Sequence, residues 1–221
     1  MIATPIDNEA PDDRSTKDRI LDAALVVFAE QGFEGASIRK IVTSAGANVA
    51  AGHYYFGSKY ALYSAVTMRY LEQLNQTRYE ALDRLVADAD GEIISLKSLI
   101  RAFIEPHIRF SATRYGSAYA KLIARFLVEQ HSLSAEIFEK GVYPMRRRFA
   151  PHLAALFPGA NEQQLDLCFQ FIALNMSGAA SQNANWDDDP LQLEADIEAA
   201  TVFLTGGISA LASLFVSTQT R

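Results

Sequence analysis

Apolar residues recur along most of the chain at spacings of three and four, the period of one face of an α-helix. Ile20, Ala24, Val27 and Phe28 mark such a face over residues 16–31, and Gly32 follows as a C-cap. Ser37 is placed to cap a short helix over 38–45, which Gly46 stops, and Asn48 to cap a second over 49–55. Ser58 opens a long helix that runs to residue 86. The segment DADGE, residues 88–92, reads as a turn and as the clearest boundary between two periodic stretches. Beyond it the pattern predicts helices over 93–113, with Pro106 as a kink, over 119–130, and over 133–156 with a break near Pro144. A turn at FPGAN (157–161), a helix over 162–183, a polar loop over 182–190 and a last helix over 191–218 complete the chain. Alternating β-branched runs with hairpin turns are missing, so the expected fold is all-α.

The last helix admits another reading. Residues 199–220 carry no charge and are long enough to span a bilayer. Thr201, Thr205, Gly206, Gly207, Ser209, Ser213 and Ser217 interrupt that stretch, and no basic flank precedes it. A buried helix at a subunit interface accounts for it better, so no membrane is expected.

Composition narrows the class. Hydrophobic residues make up 49% of 221, enough for a sizeable core. The single cysteine, Cys168, leaves no intrachain disulfide, as a reducing cytoplasm allows. The acidic first 15 residues lack the apolar core of a signal peptide and read as a loose arm. Cytoplasmic localisation is the expectation.

Charge is unevenly placed. The chain has a formal net charge of -6, yet residues 35–71 contain no Asp or Glu and include Arg39, Lys40, Lys59 and Arg69. The two short helices, joined by a tight turn at Gly46, have the form of a helix-turn-helix, whose second helix enters the major groove. Phosphates repel carboxylates, which gives the acid-free window a cause. Val49, Ala50, Ala51 and Gly52 are small enough for close approach, and His53, Tyr54 and Tyr55 reach bases or phosphates. The start of the next helix, near Ser58 and Lys59, suits a phosphate. On composition alone, a plain connector with half-buried tyrosines fits as well.

The order of residues separates these readings. The pieces RILDAALVVFAEQGF, SIRKIVTSAGA and YYFGSKYAL, within residues 16–62, closely resemble the N-terminal domain of the TetR family of transcriptional regulators. The resemblance implies a three-helix DNA-binding domain over 16–62, after an arm over 1–15. A long helix would join it to an all-helical effector-binding and dimerisation domain over 63–221. Lys59 matches the family's phosphate-binding lysine, and His53 stands where many members have a backbone- or base-contacting Tyr. Tyr54 and Tyr55 fall in the following aromatic pair. Asn48, Val49 and Ala51 fall on the groove-facing part of the helix, and Arg39 on the supporting helix. Three departures stand out. Gly52 replaces an apolar residue and is expected to leave a packing gap, Tyr60 replaces a common Glu, and His53 and Tyr55 prevent base preferences from being carried over.

The last two helices each carry two apolar stripes, where a helix packed on its own domain needs one. Leu165, Phe169, Ile172, Met176 and Ala179 form one stripe of the first, with Leu167, Phe171, Leu174 and Gly178 opposite. In the second, Leu193, Ile197, Leu204, Ile208, Leu211 and Phe215 form a heptad-like stripe, and Ala195, Ala199, Val202, Gly206 and Ser209 a small-residue one. The expectation is a homodimer through a four-helix bundle, with Leu165, Phe169, Ile172, Met176, Ile197, Leu204, Ile208 and Leu211 at the interface. A helix sandwiched within one subunit is the alternative.

The middle helices are rich in aromatics. Phe103, Phe110, Tyr119 and Phe126 are candidates to line an apolar effector pocket, with His107, Arg114 and Arg125 holding a polar or anionic head group. Plain core packing is the simpler reading of the same spacing. LIARFLVEQHS and YPMRRRFAPHLAALFPG are weakly similar to regulators that answer to fatty acyl compounds, which points to an acyl-type effector.

An enzyme is not expected. His53, His107, His131 and His152 lack zinc-motif spacing, and one cysteine builds no Cys-rich site. No nucleophile elbow or phosphate-cradling loop is present. The acidic run 187–189 reads as a solvated loop, so neither metal nor cofactor is expected. The reading is a ligand-responsive DNA-binding regulator, most simply a repressor on a near-palindromic double-stranded operator. The alternative is a helical ligand-binding or interaction protein that does not use its head on DNA.

Overall fold

The computed structural model describes residues 15–129, 134–182 and 190–217, and their side chains apart from 126–129, 134, 177–182, 216 and 217. The expected arm before Ser15, and the loop and acidic run over 183–189, lie outside the described residues. The described chain is helical throughout and contains no strand. Its elements are α1 (Thr16–Gly35), α2 (Ile38–Ser44), α3 (Val49–Phe56), α4 (Lys59–Asp88), α5 (Leu96–Ser111), α6 (Arg114–Glu129), α7 (Ser134–Ile137), a π-helical segment (Phe138–Val142), α8 (Tyr143–Leu156), α9 (Glu162–Gln182) and α10 (Pro190–Ser217).

Several boundaries moved for local reasons. α1 continues through Gly32, whose φ of 69° kinks it, to Gly35. α5 runs through Pro106 as a single helix. α6 starts five residues before the predicted position because Thr113 caps it: its Oγ1 accepts from the Gly116 amide at 3.0 Å. Gly116 is obligatory there, since a Cβ would lie 1.6 Å from the Phe110 carbonyl oxygen. The break before Pro144 takes the form of the π-helical segment. The segment 88–92 is the α4–α5 turn.

The interior has two parts strung along α4. Ile20, Leu25, Phe28, Ile41, Val42, Leu62, Tyr63 and Val66 pack in the first, together with Tyr119 and Leu122 of α6. Leu82, Leu99, Phe103, Phe149, Phe169, Ile172, Ile197 and Leu204 pack in the second. The first three helices are therefore not a free-standing unit, because α6 completes their core. Arg125 of α6 donates from Nε to the Ala29 carbonyl at 3.0 Å and from Nη2 to the Glu30 carbonyl at 3.2 Å. That contact sets a cation on carbonyls near the end of α1, where the helix dipole favours it.

Candidate DNA-binding face

The α2–α3 turn is built by three local devices. Ser37 Oγ accepts from the Lys40 amide at 3.2 Å and starts α2. Gly46, at φ 62°, ends it in a Schellman arrangement: the Ala47 amide bonds the Val42 carbonyl at 2.8 Å and the Gly46 amide the Thr43 carbonyl at 3.1 Å. Asn48 Oδ1 then accepts from the Ala51 amide at 2.7 Å and starts α3. Two helices of seven and eight residues are thus held at a fixed angle without a large interface.

Gly52 lets α3 sit down on α2. A Cβ there would lie 2.7 Å from Val42 Cγ1 and 2.9 Å from Ile38 Cγ2. The expected packing gap does not exist; close approach of the two helices fills it. With Gly52 inward, Val49, Ala50, His53, Tyr54 and Tyr55 turn outward. Tyr54 is 83% exposed and its ring meets Tyr55 edge-on at 5.1 Å. His53 Nδ1 lies 3.2 Å from the Gly57 carbonyl. Ala51 is half-buried: it packs against the first core and also lines the shallow groove beside Asn48 and Tyr54. Asn48 is exposed, but its oxygen is committed to the cap, leaving the amide NH2 to reach outward. Arg39 and Lys40 are exposed on α2.

Lys59 is anchored. Its Nζ donates to the Ala36 carbonyl at 3.3 Å and the Glu34 carbonyl at 3.5 Å, and lies 4.4 Å from the centre of the Phe33 ring. Both bonds are long, and an ammonium has three protons. The charge is therefore placed at the head of α4, beside the Ser58 cap (Ala61 amide to Ser58 Oγ, 3.1 Å), with a donor to spare. Of the α1 acids, Asp18 accepts from Arg69 at 3.0 Å and Asp22 from the Tyr70 hydroxyl at 2.9 Å, while Glu34 meets Lys59 through its backbone carbonyl. Arg19, not singled out by pattern, donates to the Ala45 carbonyl at 3.4 Å and lines a shallow groove with Asn48, Ala50, Tyr54 and Tyr55.

The effector candidates are divided between the two interiors, although the buried Arg78 guanidinium acts electrostatically on both His107 and Tyr119. Phe103 and His107 lie in or beside the second core, whereas Phe110 and Tyr119 stack with Tyr70 at 5.9 Å and 5.8 Å against the first. Arg125 belongs to the α1 contact. The side chain of Phe126 lies outside the described residues. Pattern reading missed Arg78, which is 3% exposed. The available signal was its register: Leu71, Leu74, Asn75, Arg78 and Leu82 share one buried stripe of α4.

The interface residues also need correction. Phe169, Ile172, Met176, Ile197, Leu204 and Ile208 are buried within their own subunit, in the second core, and have almost no surface to offer a partner. Leu165 and Leu211 are half-buried against the same core. The opposite stripes face out: Leu167, Phe171 and Leu174 on α9, and Val202, Phe203, Gly206 and Leu214 on α10. Glu194 and Glu198 of α10 pair with Arg101, Arg109 and Lys97 of α5, which fixes the rotation of the helix. Residues 190–215 are long and apolar enough to cross a membrane by length and composition. In the fold, Ile197, Thr201, Leu204 and Ile208 of that span are core.

A capped short helix turned outward from a supporting helix, in front of a helical body, is the architecture of helix-turn-helix regulators. The family model "Bacterial regulatory proteins, tetR family" matches residues 20–66, and "Tetracyclin repressor-like, C-terminal domain" matches residues 101–207. The chain belongs to the TetR family of bacterial transcriptional regulators. It is 38% identical over 96 residues to the HTH-type transcriptional repressor NicS of Pseudomonas putida, covering 43% of this chain and 44% of that one. It is 27% identical over 142 residues to the HTH-type transcriptional dual regulator CecR of Shigella flexneri, covering 63% of each. The matches span between 44% and 65% of the length of the curated relatives. Among solved structures, the fatty acid degradation regulator FadR of Bacillus halodurans superposes with a TM-score of 0.62 at 19% identity, over 86% of this chain and 98% of that one.

Proposed function

We propose that the chain is a ligand-responsive repressor, a homodimer that holds a near-palindromic operator and lets it go when a small apolar effector enters the body. The head is taken as residues 16–62 and the body as 63–221. The observation that carries this reading is the outward row of α3, with Val49, His53, Tyr54 and Tyr55 exposed on an eight-residue helix whose one buried position is Gly52. Arg39, Lys40 and the anchored Lys59 flank it with positive charge. In this reading α3 enters the major groove and Lys59 and the α4 N-terminus hold a phosphate.

The exposed apolar faces of α9 and α10 support the homodimer. Gly206 and Gly207 have open space around them, which lets a second helix backbone come close. Two heads would then meet half-sites one helical turn, about 34 Å, or a multiple of it apart. Body and head are joined by α4, which carries Lys59, and by α6, whose Arg125 holds α1 near its end. An effector that shifts α4 or α6 changes the distance between heads, and a coupling of about 1–3 kcal/mol gives a clear response. NicS, described as a repressor, and FadR, described as a regulator of fatty acid degradation, support repression and an acyl-type effector. Such a protein works in the cytoplasm, where its operator is.

The test is selection from a random duplex library by the purified full-length chain at moderate salt. Enrichment of a near-palindrome is expected. Recovery of unenriched DNA, or of none, would instead favour an interaction protein that does not use its head on DNA.

A further inference from the structure

We propose that Arg78 and His107 form a recognition site for a carboxylate, so that the effector is an organic acid with an apolar body. The inference rests on the chain being ligand-responsive and adds the chemistry of the ligand.

Arg78 is 3% exposed, and burial pushes its pKa down only to about 10, so it is charged in the folded chain. Every hydrogen-bond partner it has among the described residues is neutral. Nε donates to the Phe103 carbonyl at 2.9 Å, Nη1 to Asn75 Oδ1 at 3.3 Å, and Nη2 approaches Met176 Sδ at 4.0 Å. The guanidinium lies 4.5 Å from the centre of the Phe103 ring. No described carboxylate bridges to it. A guanidinium has five donors, and here one whole nitrogen is given to a sulfur, a weak acceptor. A buried cation without a counter-ion destabilises the fold, and an apolar residue of similar shape would remove that cost.

His107 is the second anomaly. It is 3% exposed, and neither ring nitrogen has a hydrogen-bond partner among the described residues. It follows Phe103 by one turn of α5, so it shares the face whose carbonyl Arg78 holds. Burial, then the Arg78 charge, pushes its pKa down to about 3; the Met176 carbonyl pulls the other way from outside hydrogen-bond geometry. A neutral imidazole keeps one N–H to donate. A guanidinium with no described counter-ion and an N–H donor with no described partner, in one core, are complementary to a single compact anion.

The surroundings select its shape. Phe103, Phe149, Phe169, Ile172, Met145 and Met176 are apolar and buried in the same core. That setting suits one negative charge on a hydrocarbon body and disfavours a polyphosphate. It also distinguishes a free acid from its thioester or ester, which carries no charge at the carbonyl. Both side chains are enclosed, so binding must part the helices around them. The parting acts on α4 directly, because Asn75, beside Arg78, also holds the Gly141 carbonyl of the π-helical segment at 2.8 Å. Such segments are often found at functional sites.

The experiment uses full-length protein and follows melting temperature and operator release with octanoate, decanoate, palmitate and phenylacetate. Methyl decanoate and decanol serve as neutral matches. At least one acid is expected to shift melting and release DNA, with the neutral matches at least tenfold weaker. Arg78→Met is expected to melt at or above the unliganded wild-type temperature and to bind operator, yet lose the acid response at least tenfold. Arg78→Gln serves the same purpose if the Met variant does not fold, and His107→Phe should weaken the response independently. The proposal is overturned if ester and alcohol act as well as acid, if the Arg78 variants respond like wild type, or if no acid shifts melting. Operator binding by unliganded wild type stands apart from all these outcomes, so loss of the carboxylate site would leave the DNA-binding reading intact.

Discussion

A single missing side chain sets the geometry of the DNA-binding face. Gly52 is buried where any Cβ would press on Val42 and Ile38, both of which are core or packed against it. Gly52→Leu should therefore destabilise the head by about 1–3 kcal/mol through overpacking. A lowered melting temperature, together with weaker operator binding, is the expected result. The sequence places a glycine at this position but not its reason, because a helix-weakening residue and a close approach look alike in one dimension. His107 carries a second prediction at this scale. Its ordinary pKa is about 6.5, and in the folded chain it is about 3. The unfolded chain therefore takes up a proton below pH 6.5 that the folded chain refuses, so stability falls as pH drops from 6.5 toward 3, by up to about 1.4 kcal/mol per pH unit. Melting curves at pH 7 and pH 5 should show a smaller drop in His107→Phe than in wild type.

At the scale of helices, the caps were legible and the rotations were not. Ser37, Asn48 and Ser58 each cap the helix that their position in the sequence predicts. These devices act over three residues, and a sequence displays that range directly. α9 and α10 show why the rest was hidden. Each has two apolar stripes, and composition does not say which one faces its own core. The rotation of α10 follows from Glu194 and Glu198 meeting Arg101, Arg109 and Lys97, partners roughly a hundred positions earlier in the chain. The outward stripe gives a clean contrast between two variants. Phe203 is 68% exposed, so Phe203→Glu should leave a folded subunit that sediments as a monomer and binds operator poorly. Ile208→Glu, buried in the core, should lower the melting temperature first. Equal behaviour of the two in sedimentation and melting would refute the assignment of faces.

Across the whole molecule, the sequence shows the order of helices and the likeness to one family, but not how head and body share a core. Tyr119 and Leu122 of α6 complete the packing around Phe28 and Tyr63, about ninety and sixty residues away by position. No local pattern announces such a contact. The same distance hid the split among Phe103, Phe110 and Tyr119, which sit at helical spacing yet serve two interiors. Arg78 escaped notice for the opposite reason: it lies on a stripe otherwise read as apolar, and its burial emerges only when α5 and α9 close over it. What results is a body whose second core holds a cation with no described counter-ion and whose first core is continuous with the head. α4 runs through both.

In the proposed function, α3 is the surface that reads DNA. Fluorescence anisotropy with the duplex enriched by selection, comparing wild type with the double variant Tyr54→Ala, Lys59→Ala, tests it most directly. Both variants' sites are on the surface or at its edge, so circular dichroism and sedimentation should match wild type. The expected result is a loss of affinity of about thirtyfold or more, the sum of a lost groove contact and a lost phosphate contact at about 1–3 kcal/mol each. Unchanged affinity in a folded, dimeric double variant would contradict it and move DNA recognition elsewhere on the protein.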